Sequence, residues 1–156
     1  DTFQKIKPIL AQGARIKSLQ NPPKKMSKTG DAGIALSDEP DTIRDKIKKA
    51  VTDSGAEIKY TDDKPAISNL LTLYSEFSEK KITEIEKEYT GKGYAEFKKD
   101  LAEIIVDALK DFREKRKEFA NNKDYILQIL KSGKEKAQEQ ARKTLKKVKE
   151  AIGITI

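Results

Sequence analysis

The feature that most constrains this chain is a change of rhythm near Ser37–Asp38. Before it, Pro8, Gly13, Pro22, Pro23, Gly30 and Gly33 interrupt every candidate long helix and leave Ala14–Leu19 as one short extended piece. After it, apolar residues recur at helical spacing almost to the end. Asp38 is placed to cap a helix with Glu39, Pro40 and Asp41 in its first turn and Ile43, Ile47 and Ala50 on one face. Pro65 opens a second helix that aligns Ile67, Leu70, Leu71, Tyr74 and Phe77. Thr83 and Glu86 have the spacing of a capping box for a short third helix, with Ile82 as a hydrophobic staple, and Gly91 and Gly93 end it.

The longest stretch runs from Tyr94 to Phe119 and carries Tyr94, Phe97, Leu101, Ile104, Ile105, Ala108, Leu109 and Phe112 on one stripe, which reads as core. Asn121-Asn122 breaks it, and Tyr125–Leu130 offers another apolar turn. A last helix is expected after Gly133, with Ala137, Ala141, Leu145 and Val148 turned inward and Gly153 capping its end. Only Ile58–Tyr60 suggests a short strand pair. The fold expected is mainly α: five or six helices over 38–152, preceded by an irregular arm over 1–37.

Composition agrees. Of 156 residues, 38% are charged and 36% hydrophobic, which suits amphipathic helices better than a sheet-centred core. Cys and His are both absent, which removes disulfides, thiolate chemistry and the commonest general base and metal ligand. Chemistry must then rest on Lys, Arg, carboxylates or hydroxyls, and no protein metal site is expected. There is no apolar run near the ~18 residues that cross a bilayer and no signal-peptide pattern, so a soluble cytoplasmic protein without a membrane partner is expected.

The net charge of +7 is unevenly spread. Residues 1–30 hold seven basic side chains against Asp1, and residues 131–150 hold eight against three. Two positive poles suit polyanions such as nucleotide phosphates or RNA, although Lys-rich helices are often merely solvated.

The informative stretch is Gly13 to Thr29, ending in Lys25-Met26-Ser27-Lys28-Thr29. Two lysines flanking a hydroxyl, on a loop followed by Gly30 and Gly33, can bring two ammonium groups to one anion while the glycines allow the loop to move. Taken alone, five such letters are also compatible with a plain basic turn.

The segment resembles the second signature of class I aminoacyl-tRNA synthetases, with Thr29 in place of the final serine, and Gly13–Leu19 looks like the strand that leads into it in tryptophanyl-tRNA synthetases. Ala50–Ser54, Lys64–Leu71, Tyr89–Tyr94 and Phe97–Leu101 are similar to blocks of the bacterial members of that family, in the same order. The resemblance runs from Gly13 to Gly153. Two departures are Thr29 and a shorter stretch between Thr29 and Ile34. A third is the missing first signature, which needs histidine, so the half carrying the tryptophan pocket is expected outside this sequence.

The resemblance implies that residues 1–37 are the end of a Rossmann-like catalytic domain and 38–156 a helical, anticodon-binding-type domain. It implies tryptophan–tRNA ligase activity, with ATP as substrate, Mg2+ accompanying it, tRNA(Trp) and tryptophan as partners, and a homodimer in the complete enzyme. Lys25 and Lys28 would be catalytic, and Ile16, Lys25, Met26, Ser27, Lys28 and Thr29 would bind ATP. Ile16 is equally compatible with core packing, and Arg15 reads as structural. Lys143, Lys146 and Lys147 would meet tRNA unless that face is only solvated. This stretch alone is expected to be inactive. The other class of reading is a free-standing basic helical RNA-binding module.

Overall fold

Six helices follow one another along the chain in the computed structural model, which describes residues 3, 5–9, 13, 15–27 and 33–154. They are α1 (Pro40–Lys48), α2 (Pro65–Ser78), α3 (Ile82–Glu88), α4 (Tyr94–Ala108), α5 (Lys110–Asn121) and α6 (Lys123–Ala151). Among the described residues the only β pairing is an isolated antiparallel bridge between Lys17 and Lys25. The mainly α expectation holds, and Ile58–Tyr60 forms no strand. That segment is irregular, held by buried Ile58 and by the Tyr60 N–H, which donates to Glu86 Oε1 at 2.7 Å.

Contacts gather residues 10–114 and residues 1–9 with 115–156 into two units. In the first, α1 and α2 both pack on α4, and α3 packs on α2. The helical periodicity predicted the inward faces here: Ile43 and Ile47 of α1, Ile67, Leu70 and Leu71 of α2, and Phe97, Leu101 and Ile105 of α4 are all essentially inaccessible. At the centre Tyr74 stacks on Phe97 with ring centroids 5.6 Å apart, while Tyr89 stands edge-on to Phe97 at 5.1 Å. The Tyr89 hydroxyl donates to Asp100 Oδ2 at 2.6 Å, tying the end of α3 to α4. Lys98 of α4 reaches the end of α1, donating to the Ala50 carbonyl at 2.6 Å and the Lys48 carbonyl at 3.4 Å. These carbonyls lie where a helix terminus leaves acceptors unpaired and favours a cation. Burial pushes the Lys98 ammonium below the usual lysine range.

Helix starts differ from expectation because the capping groups come from elsewhere. Glu39, not Asp38, is the N-cap of α1, and Asp38 Oδ2 instead accepts from the Ala35 N–H at 2.9 Å and from Lys46 at 2.8 Å. The α2 N-terminus is satisfied by Asp53, far back in the chain, whose carboxylate accepts from the Ala66 and Ile67 N–H groups at 3.3 and 2.8 Å. Helix α3 begins after Lys81, with the Glu84 carboxylate reaching back to the Lys81 N–H at 3.4 Å, so the Thr83–Glu86 capping box does not form and Glu86 is spent on Tyr60.

The single helix expected from Tyr94 to Phe119 is broken at Leu109, which leaves the helical region at φ −91° and ψ 1° and stays buried. The break is tolerated because Arg113 Nη2 donates to the Val106 carbonyl at 2.8 Å. Beyond it Arg113, buried at 8%, takes the next inward position after Leu109, and Phe112 emerges 45% exposed instead of joining the core.

In the second unit, α6 starts at Lys123, well before the position expected after Gly133. Asn122 caps it, its side-chain oxygen accepting from the Tyr125 N–H at 3.2 Å, and the helix continues through Gly133. A glycine inside a helix costs only ~1 kcal/mol, which a 29-residue helix absorbs. Gly153 does end it: at φ +73° it donates to the Glu150 carbonyl, and Ile154 N–H reaches Lys149 O at 2.9 Å, the paired bonds of a left-handed helix stop. The inward face expected of Ala137, Ala141, Leu145 and Val148 is not covered: α6 has no buried residue, Leu145 is 53% exposed and Val148 is half-buried. Periodicity marks which side of a helix is apolar, not whether this chain holds the surface that covers it.

Candidate functional site

The basic loop springs from a short hairpin. Ser18 N–H donates to Lys24 O at 2.8 Å and Met26 N–H to Ile16 O at 3.0 Å, with a turn closed by Lys24 N–H to Asn21 O at 2.8 Å. Two prolines in the turn suit its fixed φ, and Pro22 is buried. Ser18 Oγ holds the bend by accepting from the Gln20 and Asn21 N–H groups at 3.2 and 3.1 Å. Leu19 anchors the hairpin in the core at 2% exposure, and its carbonyl accepts from Val51 N–H at 2.8 Å just beyond α1.

This pairing sorts the side chains. Ile16 and Met26 are cross-strand neighbours, both half-buried and packed against the core, so one apolar pair borders the loop. Lys25 and Ser27 are exposed. Lys17 faces Lys25 as a non-hydrogen-bonded pair, the arrangement in which opposed side chains are closest and leave on the same side. The sequence reading missed Lys17 because nothing local says which residue of the first strand faces Lys25. Arg15 is exposed and takes no core position. Lys28 and Thr29 lie outside the described residues.

The far stem of the loop returns at Gly33, which is buried. A Cβ there would lie 2.6 Å from Met26 Cγ and 3.2 Å from the Ser27 carbonyl oxygen, so the two stems touch and only glycine permits the approach. Lys46 of α1 donates to Gly33 O at 3.0 Å while paired with Asp38 at 2.8 Å. On the near stem, Asn69 of α2 accepts from Lys17 N–H at 2.9 Å and donates to Lys17 O at 3.0 Å. Asn69 and Lys46 were also missed, although Asn69 sits in the Lys64–Leu71 block: both act over a distance in sequence that no local pattern reports.

The second candidate set lies on α6. Lys143, Lys146 and Lys147 are exposed. Lys143 pairs with Glu139 at 2.6 Å and Lys146 with Glu150 at 3.9 Å, each one helical turn away. Such exposed pairs are weak and can be exchanged for a polyanion at little cost. Among the described residues, no group of three or more carboxylates could hold a metal ion and no helix is long and apolar enough to cross a membrane.

Comparison with known proteins places this geometry in a family. The family model for class I tRNA synthetases (W and Y) matches residues 2–110. The chain is 48% identical over 147 residues to the tryptophan–tRNA ligase of Bacillus anthracis, covering 92% of this chain and 44% of that protein. It is 47% identical over 146 residues to that of Bacillus subtilis, covering 91% and 44%. The crystal structure of tryptophanyl-tRNA synthetase from Mycoplasma pneumoniae superposes with a TM-score of 0.80 at 27% identity, over 92% of this chain and 45% of that one. The Campylobacter jejuni enzyme complexed with ADP and tryptophan gives 0.67 at 28%, over 90% and 44%. The chain spans about half the length of these relatives, and its likeness is to their C-terminal portion. It belongs to the class I tRNA synthetase family of the W and Y enzymes.

Proposed function

We propose that this chain works as part of a tryptophan–tRNA ligase, supplying the ATP-phosphate loop and the helical region that holds tRNA(Trp). Residues 1–37 would close the nucleotide-binding domain and 38–156 would form the tRNA-binding domain, in a cytoplasmic homodimer. The observation that carries the reading is the hairpin: it exposes Lys25 and Ser27 at the base of the loop beside the half-buried Ile16–Met26 pair.

The chemistry follows from that arrangement. When the carboxylate of tryptophan attacks the α-phosphorus of ATP, supplied with Mg2+, negative charge grows on the departing pyrophosphate. Ammonium groups fixed at that point stabilise the transition state more than the ground state. Lys25 and Lys28 fill this role, Ser27 and Thr29 add hydroxyl hydrogen bonds, and Ile16 and Met26 border the adenine. On α6, Lys143, Lys146 and Lys147 meet tRNA phosphates, which give affinity and register but little sequence information.

The test is pyrophosphate exchange into ATP by the full-length enzyme that contains this chain, with tryptophan or tyrosine as the amino acid. Exchange dependent on tryptophan is expected, and none from residues 1–156 alone. Exchange driven by tyrosine instead, or RNA binding with no exchange at all, would overturn the reading, the latter in favour of a basic helical RNA-binding module.

A further inference from the structure

We infer that Asn69 and Lys46 are positioning residues for the phosphate loop, each holding one of its two stems against a helix; the inference rests on reading that loop as the ATP-phosphate site. In a non-hydrogen-bonded antiparallel pair, the main-chain groups of each residue point away from its partner. Lys17 is such a residue, so its N–H and C=O face outward from Lys25, where a third strand would lie in a sheet. The described residues provide no such strand. The Asn69 carboxamide takes its place, matching a peptide group with one acceptor at 2.9 Å and one donor at 3.0 Å.

Chemistry selects asparagine. Its planar amide offers both functions at once, whereas Asp lacks the donor and would set a carboxylate against the Lys17 carbonyl. Asn69 is 5% exposed, so loss of the side chain leaves both Lys17 groups unpaired in a poorly hydrated place. On the other stem the Lys46 ammonium holds the Gly33 carbonyl, and Gly33 rests on Met26 and Ser27. Helices α1 and α2 both pack on α4, so the two ties hang from one packed core. The placement of Lys25 is thereby set by side chains that touch no phosphate.

Misplacing a reacting group by ~1 Å can cost about 100-fold in rate. In the full-length enzyme, Asn69→Ala, Asn69→Asp and Lys46→Met should each lower kcat/KM for ATP in pyrophosphate exchange by roughly 10- to 100-fold, with tryptophan affinity unchanged. Lys46→Arg should restore most of the loss. Asn69→Ala should cost less in a Lys25→Ala background than in the parent enzyme, because one of the groups it positions is already gone. Amide exchange of the 15–27 segment should quicken in Asn69→Ala while α4 stays protected. Multiplicative losses with Lys25→Ala, an equal loss of tryptophan affinity, or lost protection across α4 would overturn the inference and leave Asn69 a core residue. If Lys25→Ala itself leaves exchange intact, the reading of the loop fails, and the inference with it.

Discussion

Replacing Tyr89 by Phe isolates the polar link at the centre of the helical unit. The ring is 2% exposed and stands edge-on to Phe97 and Tyr74, contacts that phenylalanine keeps. What is lost is the hydroxyl, which donates to Asp100 Oδ2 at 2.6 Å and lies 3.3 Å from the Tyr74 hydroxyl. A hydrogen bond to a charged group contributes about 1.5–3 kcal/mol. Asp100 is half-buried and can recover water, which sets the expectation for the variant at the lower end, ~1.5–2 kcal/mol. In urea unfolding followed by helical circular dichroism this is a lower midpoint at unchanged slope, and in a thermal scan a fall of roughly 3–8 °C. The link also has a pH signature. Burial, then the bond to Asp100, raises the Tyr89 phenol above its ordinary 10.0. The unfolded chain ionises this tyrosine first, so its stabilisation is complete below pH ~10 and declines as pH rises beyond it. Tyr89→Phe should flatten that alkaline decline. A loss under ~0.5 kcal/mol, no larger than for an ordinary surface change, together with an unaltered alkaline limb, would refute the reasoning.

Gly133→Ala should stabilise α6 by ~0.5–1 kcal/mol, because the new methyl meets open space and the unfolded chain loses freedom; a lower helical signal or melting point would contradict this. Arg44 clamps Glu103 through Nε and Nη2 at 2.7 and 2.8 Å, holding its carboxyl below the ordinary range. That contribution is present above the unfolded carboxyl pKa and lost as pH falls through the folded one, so Glu103→Gln should flatten the acid limb of the stability profile in urea titrations. Changing Lys143, Lys146 and Lys147 together to Gln should weaken all tRNAs alike and lower the slope of log affinity against log salt by up to ~3 in filter binding; an unchanged slope would leave this face merely solvated.

Much of the helical unit was legible because its signals are local. Ile43 and Ile47 share the buried face of α1, with Ala50 buried just past its end instead of on it, Pro65 starts α2, and the Asn121-Asn122 break and the Gly153 stop fall where the structure has them. What escaped was tertiary. The Leu109 break leaves the apolar stripe nearly continuous, and its compensation is a guanidinium one turn further on. Asp53 caps a helix that begins twelve residues later, and Asn69 grips a strand 52 residues earlier. At the site, the composition of the hairpin and loop was readable from Gly13 to Thr29, but the pairing of Lys17 with Lys25 and the contact of Gly33 with Met26 follow only from the folded turn.

The most direct test of the account is pyrophosphate exchange by the full-length enzyme with Lys25→Ala and, separately, Lys28→Ala, measured beside equilibrium binding of tryptophan. Removing one group that stabilises developing charge should cost about 10²–10³-fold in adenylate formation, roughly 3–4 kcal/mol, because the interaction is made in the transition state. Tryptophan affinity should change far less. A loss that appears equally in tryptophan binding, or no loss at all, would contradict the assignment of this loop to the departing phosphates.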